Sequence, residues 1–166
     1  MLQPLLRRTW APQGQTPISY SWDRHDRLSV LSALTVCPRR RHLRLFFAVH
    51  EENVRTTHVL DFLSDLRRHL HCRAILIWDR WNVHRSAARR ITETHPDWFD
   101  IDWLPAYAPD LNPVEHVWNH TKYGDLANFL ADDLLHLNVA VQWSLIGKER
   151  DQIALRSCFH GAKLPL

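Results

Sequence analysis

Two acidic residues, Asp79 and Glu115, stand where a mixed α/β fold could bring them together. Asp79 ends the apolar run Arg73–Trp78 (RAILIW), which predicts a strand buried on both faces. Glu115 falls in the first turn of a helix whose start is marked by Asn112 and Pro113. The 35 residues between the two acids suffice for a helix out and a neighbouring strand back. Two converging carboxylates would bind a hard divalent cation such as Mg²⁺ and support phosphodiester chemistry.

The same residues also have purely structural interpretations. Asp79 could begin the turn after its strand, and Glu115 could form a capping box with Asn112. A zinc site is a further alternative, because His116 and His120 lie four residues apart on one helical face. The glutamate precedes the first of these histidines, however, so the H-E-x-x-H pattern is not satisfied. The spacing by itself leaves the metal and structural interpretations open.

Hydrophobic periodicity predicts alternating strands and helices around these residues. The segments 27–36 and 42–49 predict an antiparallel hairpin. Further along, the pattern predicts helices at 59–70 and 86–95, strands at 73–78 and 99–104, a helix from Pro113 and a last helix over about 132–146. The final twenty residues are weakly patterned. Alternation after a hairpin implies a mixed α/β sheet with helices packed on it.

Composition narrows the possible functions. The 166 residues, 45% of them apolar, fit one globular domain. No apolar run is long enough to span a membrane, no signal peptide is evident, and the four glycines are too far apart for a phosphate-binding loop. The net charge is +3, and 18 of the 21 basic residues are arginine, which suits a nucleic-acid partner but also fits an arginine-biased genome.

Two segments, ILIWDRWNVHRS and WLPAYAPDLNPVEHVWNHTK, resemble the DDE transposases of the mariner superfamily, in its bacterial insertion-sequence branch. In that family a strand ends in Asp, with Asn and His a few residues on, as Asp79, Asn82 and His84 do here. A proline-rich segment then carries the last acidic residue, which corresponds to Glu115. The segment Thr9–Pro17 (TWAPQGQTP) resembles the one after the family's first strand, so the resemblance covers about residues 5–130.

The resemblance implies an α/β fold of the RNase H-like class, a mixed sheet flanked by helices. It divides the chain into a catalytic domain at 1–130, incomplete at its N-terminus, and a C-terminal helix and tail at 131–166. The implied activity is cleavage at transposon ends and strand transfer into target DNA, dependent on Mg²⁺ or Mn²⁺. A homodimer associated with the bacterial nucleoid in the cytoplasm is expected, with no membrane and no small-molecule cofactor.

The resemblance also assigns roles to individual residues. Asp79 and Glu115 become the catalytic carboxylates and metal ligands. Four polar residues are expected to support these carboxylates or to position DNA: Asn82, His84, Asn112 and Lys122. A set of arginines is expected to contact phosphates, although a solvated helix face would explain them equally well: Arg80, Arg85, Arg89 and Arg90. Trp81 departs from the family, which has a small residue there, and puts a bulky ring beside the expected metal site.

A larger departure lies at the start of the chain. The family's first catalytic Asp lies on its first, central strand, before the segment that Thr9–Pro17 resembles. The chain begins at Met1, past that point, and Asp23 and Asp26 are poor substitutes because they fall in a turn. We therefore expect the first strand to be missing, two sheet edges to be unpaired, and the chain as written to be inactive. The alternative is a non-catalytic transposase remnant that binds DNA or dimerises.

Overall fold

The computed structural model describes residues 7–18, 27–164 and 166, and the expected turn around Asp23 and Asp26 lies outside them. Four strands and five α-helices follow one another in the described residues. They are β1 (Ser29–Val36), β2 (Leu43–His50), α1 (Thr56–Leu70), β3 (Ala74–Trp78), α2 (Asn82–Thr94), β4 (Phe99–Trp103), α3 (Pro113–His120), α4 (Leu134–Arg150) and α5 (Gln152–Gly161). A 3₁₀ turn (Pro109–Leu111) precedes α3 and a π-helical turn (Thr121–Asp125) follows it.

The predicted hairpin is confirmed. β1 and β2 pair antiparallel, in a register that runs from Ser29 opposite His50 to Val36 opposite Leu43. Arg40 adopts a left-handed conformation (φ 52°) in the connecting turn, and its N–H donates to the Cys37 carbonyl at 2.8 Å. Because side chains alternate across a strand, the hairpin presents apolar residues to both of its faces.

The other two strands pair in parallel, with Ala74 opposite Phe99 and Trp78 opposite Trp103. Trp78 is buried, but Ile75 and Ile77 keep 70% and 59% of their surface exposed. The prediction that this strand is buried on both faces is therefore wrong. Helices cover only one face of β3. The residues on that face, Ala74, Leu76 and Trp78, belong to a core shared with α1 and α2.

The described strands form two separate two-stranded sheets, β1–β2 and β3–β4. One is antiparallel and the other parallel, and helices flank both. The mixed α/β class with helices packed on its strands is thus confirmed. The expectation that a further, central strand belongs to this fold stays a prediction.

Two apolar cores hold the layers together. In one, the hairpin residues Leu28, Leu43 and Leu45 pack against the helices α3, α4 and α5. In the other, Leu31 of β1 joins apolar residues of α1, α2, β3 and β4. Helices consequently cover both faces of the β1–β2 hairpin, and the C-terminal helices share a core with the strands that begin the fold.

The largest differences between the predicted and the observed helices lie in α2, α4 and α5. α2 begins at Asn82 instead of Ser86, α4 continues to Arg150 instead of ending at Ile146, and α5 occupies the segment predicted to lack pattern. α4 carries apolar residues around most of its circumference, which obscures the helical period on which the prediction depended. None of the helices in the described residues is long and apolar enough to cross a membrane.

Candidate active site

Asp79 lies directly after β3, and its carboxylate fixes the turn that leads into α2. Its Oδ1 accepts a hydrogen bond from the Trp81 backbone N–H at 2.9 Å and lies 2.7 Å from the His84 Nδ1. The interpretation that Asp79 begins the turn after its strand is therefore confirmed. The side chain nevertheless keeps 52% of its surface exposed, so it remains accessible to a cation.

Aromatic rings hold His84 in place beside Asp79. The Trp78 ring stacks on the imidazole at 4.8 Å with an interplanar angle of 17°, and the Trp81 ring meets its edge at 5.2 Å and 85°. Trp103 in turn stacks on Trp78 at 5.7 Å. The bulky Trp81 therefore contacts the histidine that orients Asp79, a role that the sequence pattern did not suggest.

Glu115 owes its position to the way α3 begins. The Asn112 side chain accepts a hydrogen bond from the Val114 N–H at 3.2 Å, and Pro113 takes the first helical position. The Asn112 N–H, which a capping box would give to Glu115, donates instead to the Pro109 carbonyl at 2.9 Å. The 3₁₀ turn thus satisfies the Asn112 N–H, which in a capping box would donate to the Glu115 side chain. The Glu115 carboxylate is therefore not used in the cap.

The structure brings Glu115 close enough to Asp79 for their charges to interact. Partial burial raises the pKa of Glu115, and the negative charge of Asp79 raises it further. Lys122 and His116 act on the pKa in the opposite direction, so both lie near the same carboxylate. Two acids with 35 residues between them in sequence therefore lie near enough to influence each other, and their shared role in one site stays a prediction.

The predicted DNA-contacting residues fall into two groups. Asn82 opens α2 and lines an open groove along that helix. The groove is rich in arginine and is bordered by β4, its lining including Arg80, Arg85, Arg89, Arg90 and Trp103. Asn112 and Lys122 lie instead at the two ends of α3, where Asn112 caps the helix and half-buried Lys122 occupies the π-helical turn. The arginine-lined groove thus begins at Arg80, the residue after Asp79, whereas Asn112 and Lys122 flank Glu115 on α3 and the turn after it.

The chemistry of the pair fits a hard divalent cation, because such a cation prefers carboxylate oxygens and would offset the repulsion between the two charges. No cluster of three His, Cys, Asp or Glu side chains able to hold a metal occurs in the described residues. Asp79 and Glu115 alone therefore form a partial set of candidate metal ligands. His116 and His120 likewise belong to no such cluster in the described residues, and the zinc alternative stays a prediction.

The class that fold and site together define is an α/β protein with paired carboxylates at the carboxyl end of a strand. Residues 1–134 match the family model described as DDE superfamily endonuclease. The match takes in most of the chain, and the chain belongs to that family. Endonucleases of this family generally use divalent metal ions.

A chain in the crystal structure of the Mos1 strand transfer complex has a similar fold. The TM-score is 0.52 and the sequence identity 17%, and the similarity covers 99% of this chain and 52% of the other. This chain therefore spans about half the length of the one it matches. The family match confirms the expected DDE family, and this similarity confirms the expected fold. No curated protein sequence matches the chain.

Proposed function

We propose that this chain is the catalytic domain of a DNA transposase, which cuts DNA at transposon ends and joins those ends to target DNA. Asp79 and Glu115 serve as catalytic carboxylates that hold Mg²⁺ or Mn²⁺. The partners are DNA and a second copy of the chain, in the cytoplasm and on the nucleoid of a bacterium. The match of residues 1–134 to the DDE superfamily endonuclease model carries this proposal, and the influence of the Asp79 charge on Glu115 supports the choice of these two carboxylates.

Each side chain contributes to the proposed site through a contact already described. His84 fixes one oxygen of Asp79 and so fixes the direction in which the carboxylate points. Asn112 and Pro113 set where α3 begins, and so put Glu115 in its first turn. When bound, divalent ions in such sites activate the attacking oxygen and stabilise the leaving one. Lys122 puts a positive charge beside Glu115, where a DNA phosphate would need it.

The groove along α2 supports DNA as the partner. It is lined by four arginines and begins with Arg80, the residue next to Asp79. Guanidinium groups bind phosphate oxygens in pairs, and a row of them beside an acidic site would lead a DNA strand toward it. The solved structure that shares this fold is a strand transfer complex, which agrees with the same partner.

The decisive test is Mn²⁺ binding by the 166-residue chain, measured by isothermal titration calorimetry. D79N and E115Q should each weaken binding by about tenfold or more, because each removes one of two charged ligands. The matched control is D110N, which removes an exposed acid from the 3₁₀ turn before α3. Binding by D79N and E115Q equal to that of the unaltered chain would rule out the proposed metal site.

A second candidate function rests on the partial ligand set. Because no group of three His, Cys, Asp or Glu side chains in the described residues is placed to hold a metal, a transposase remnant that binds DNA without cutting it is the alternative. This alternative predicts weak metal binding and no transposition by the chain. Terminal-repeat DNA incubated with the chain and Mg²⁺ should stay intact, and nicking that disappears in E115Q would overturn this expectation.

A further inference from the structure

We infer that Gly161, at the end of α5, is a positioning residue for Glu115, acting through a close contact with the His116 ring of α3. This inference rests on the proposed function, since it concerns the carboxylate assigned there. It gives a role in the active site to a helix that lies beyond the residues matched by the family model.

The contact leaves no room for a side chain at position 161. A Cβ placed on Gly161 would lie 2.7 Å from both Cε1 and Nδ1 of His116, and 3.0 Å from its Nε2. Real Cβ atoms essentially never approach another atom closer than 3.0 Å, so a side chain at 161 would force the His116 ring to shift. The His116 Nε2 is buried without a hydrogen-bond partner in the described structure, so the ring is held there by packing. The absence of a side chain at 161 thus allows α3 to approach α5 this closely.

The other end of α5 is anchored to the hairpin. The Gln152 side chain donates to the Leu43 carbonyl at 2.9 Å and accepts from the Leu43 N–H at 3.0 Å, as a neighbouring strand would. Arg156 donates to the carbonyls of Arg40 and Arg41 at 3.2 and 3.1 Å. α5 is therefore fixed to β2 and its turn by polar contacts, and it presents Gly161 to α3 at a set position.

The position of α3 matters because Glu115 is the residue immediately before His116. In an α-helix adjacent residues point about 100° apart, so His116 against α5 leaves Glu115 on a different side of α3. Val117, fully buried, packs into the core shared with Leu155 and Phe159 of α5. A methyl group at 161 would push the His116 ring and rotate or displace α3, carrying Glu115 away from Asp79.

The test compares Mn²⁺ affinity in four forms of the 166-residue chain: unaltered, G161A, G161A/H116A and G147A. G161A should weaken Mn²⁺ binding about tenfold, the scale on which supporting residues act in metal sites. G161A/H116A should recover to within about threefold, because removing the ring makes room for the methyl group. G147A is the matched control, since a Cβ there meets nothing within 4 Å.

The readout distinguishes positioning from a merely structural role. A structural role would lower the melting temperature of G161A yet leave the affinity of its folded form unchanged, and that result would overturn the inference while sparing the proposed function. If G161A does not fold, G161A/H116A must fold and bind Mn²⁺, and its failure would contradict the inference. Absence of Mn²⁺ binding by every form would contradict the proposed function and the inference with it.

Discussion

At the scale of single residues, the site depends on which oxygen of Asp79 is already engaged. The two hydrogen bonds that the described residues make to this carboxylate both go to Oδ1. The second oxygen can therefore be offered to a cation while the first keeps the carboxylate oriented. His84 differs from an ordinary surface histidine in having its ring fixed by two tryptophans. Orientation of a metal ligand by a neighbouring side chain is a general feature of metal sites.

This arrangement predicts that H84A weakens Mn²⁺ binding about tenfold, because Asp79 loses the group that orients it. The fold should survive, since Trp81 N–H still holds Oδ1. H95A is a suitable control, because His95 also packs on a tryptophan, Trp98 at 3.8 Å, but away from the carboxylates. Calorimetric titration gives both affinities, and equal values for H84A and the unaltered chain would exclude the orienting role.

The raised pKa of Glu115 makes a prediction about stability and pH. A carboxyl group whose pKa is higher when folded than when unfolded binds protons more readily in the folded state, so the charged form destabilises the fold. In the absence of metal, E115Q should therefore melt at a higher temperature than the unaltered chain at pH 7. The difference should shrink as the pH falls through the raised pKa and vanish below the unfolded value of about 4.5.

Thermal melts of both proteins between pH 4 and pH 8 check this prediction. Other titrating groups are common to both proteins and cancel in the difference. D79N should raise the melting temperature in the same pH range, since it removes one of the causes of the raised pKa. A melting temperature of E115Q below that of the unaltered chain at pH 7 would contradict the prediction that the partly buried charge of Glu115 destabilises the fold.

At the scale of elements, strong local signals predicted structure well and tertiary context accounts for the rest. Asn112 and Pro113 predicted the start of α3, and the structure confirms both the cap and the proline position. The exposed face of β3 could not be predicted, because a short apolar run reads alike whether one or both faces are covered. The approach of His116 to Gly161 was equally hidden, since it joins two helices across the core.

The start of α5 is marked in the sequence by Asp151, a residue type that commonly caps helix N-termini. Asp151 accepts hydrogen bonds from the N–H groups of Ile153 at 2.9 Å and Ala154 at 3.0 Å. D151A should remove this cap and cost about 1 kcal/mol of unfolding free energy. For a chain of this size the melting temperature should fall by about 2–4 °C. E149A, an exposed change in α4, should leave it nearly unchanged.

At the scale of the whole molecule, the C-terminal helices cannot be separated from the strands that precede them. Val141 and Leu145 of α4 and Leu155 of α5 are fully buried against Leu43 and Leu45 of the hairpin. The hairpin and the two C-terminal helices thus form one core. A functional division of the chain at residue 130 stays a prediction, but the packing on either side of that point is continuous.

Charge is also organised over the whole molecule, with the arginines of α2 gathered in one groove beside Asp79. If this groove holds the DNA backbone, binding should weaken steeply with salt, since each neutralised phosphate contributes about −0.9 to the slope of log K against log[salt]. R85A/R89A should bind DNA more weakly and reduce the magnitude of that slope by nearly 2, with little dependence on sequence. R39A, at the exposed hairpin turn, is the matched control. Fluorescence anisotropy titrations at several salt concentrations give the slopes, and identical slopes for R85A/R89A and R39A would place the DNA on another surface.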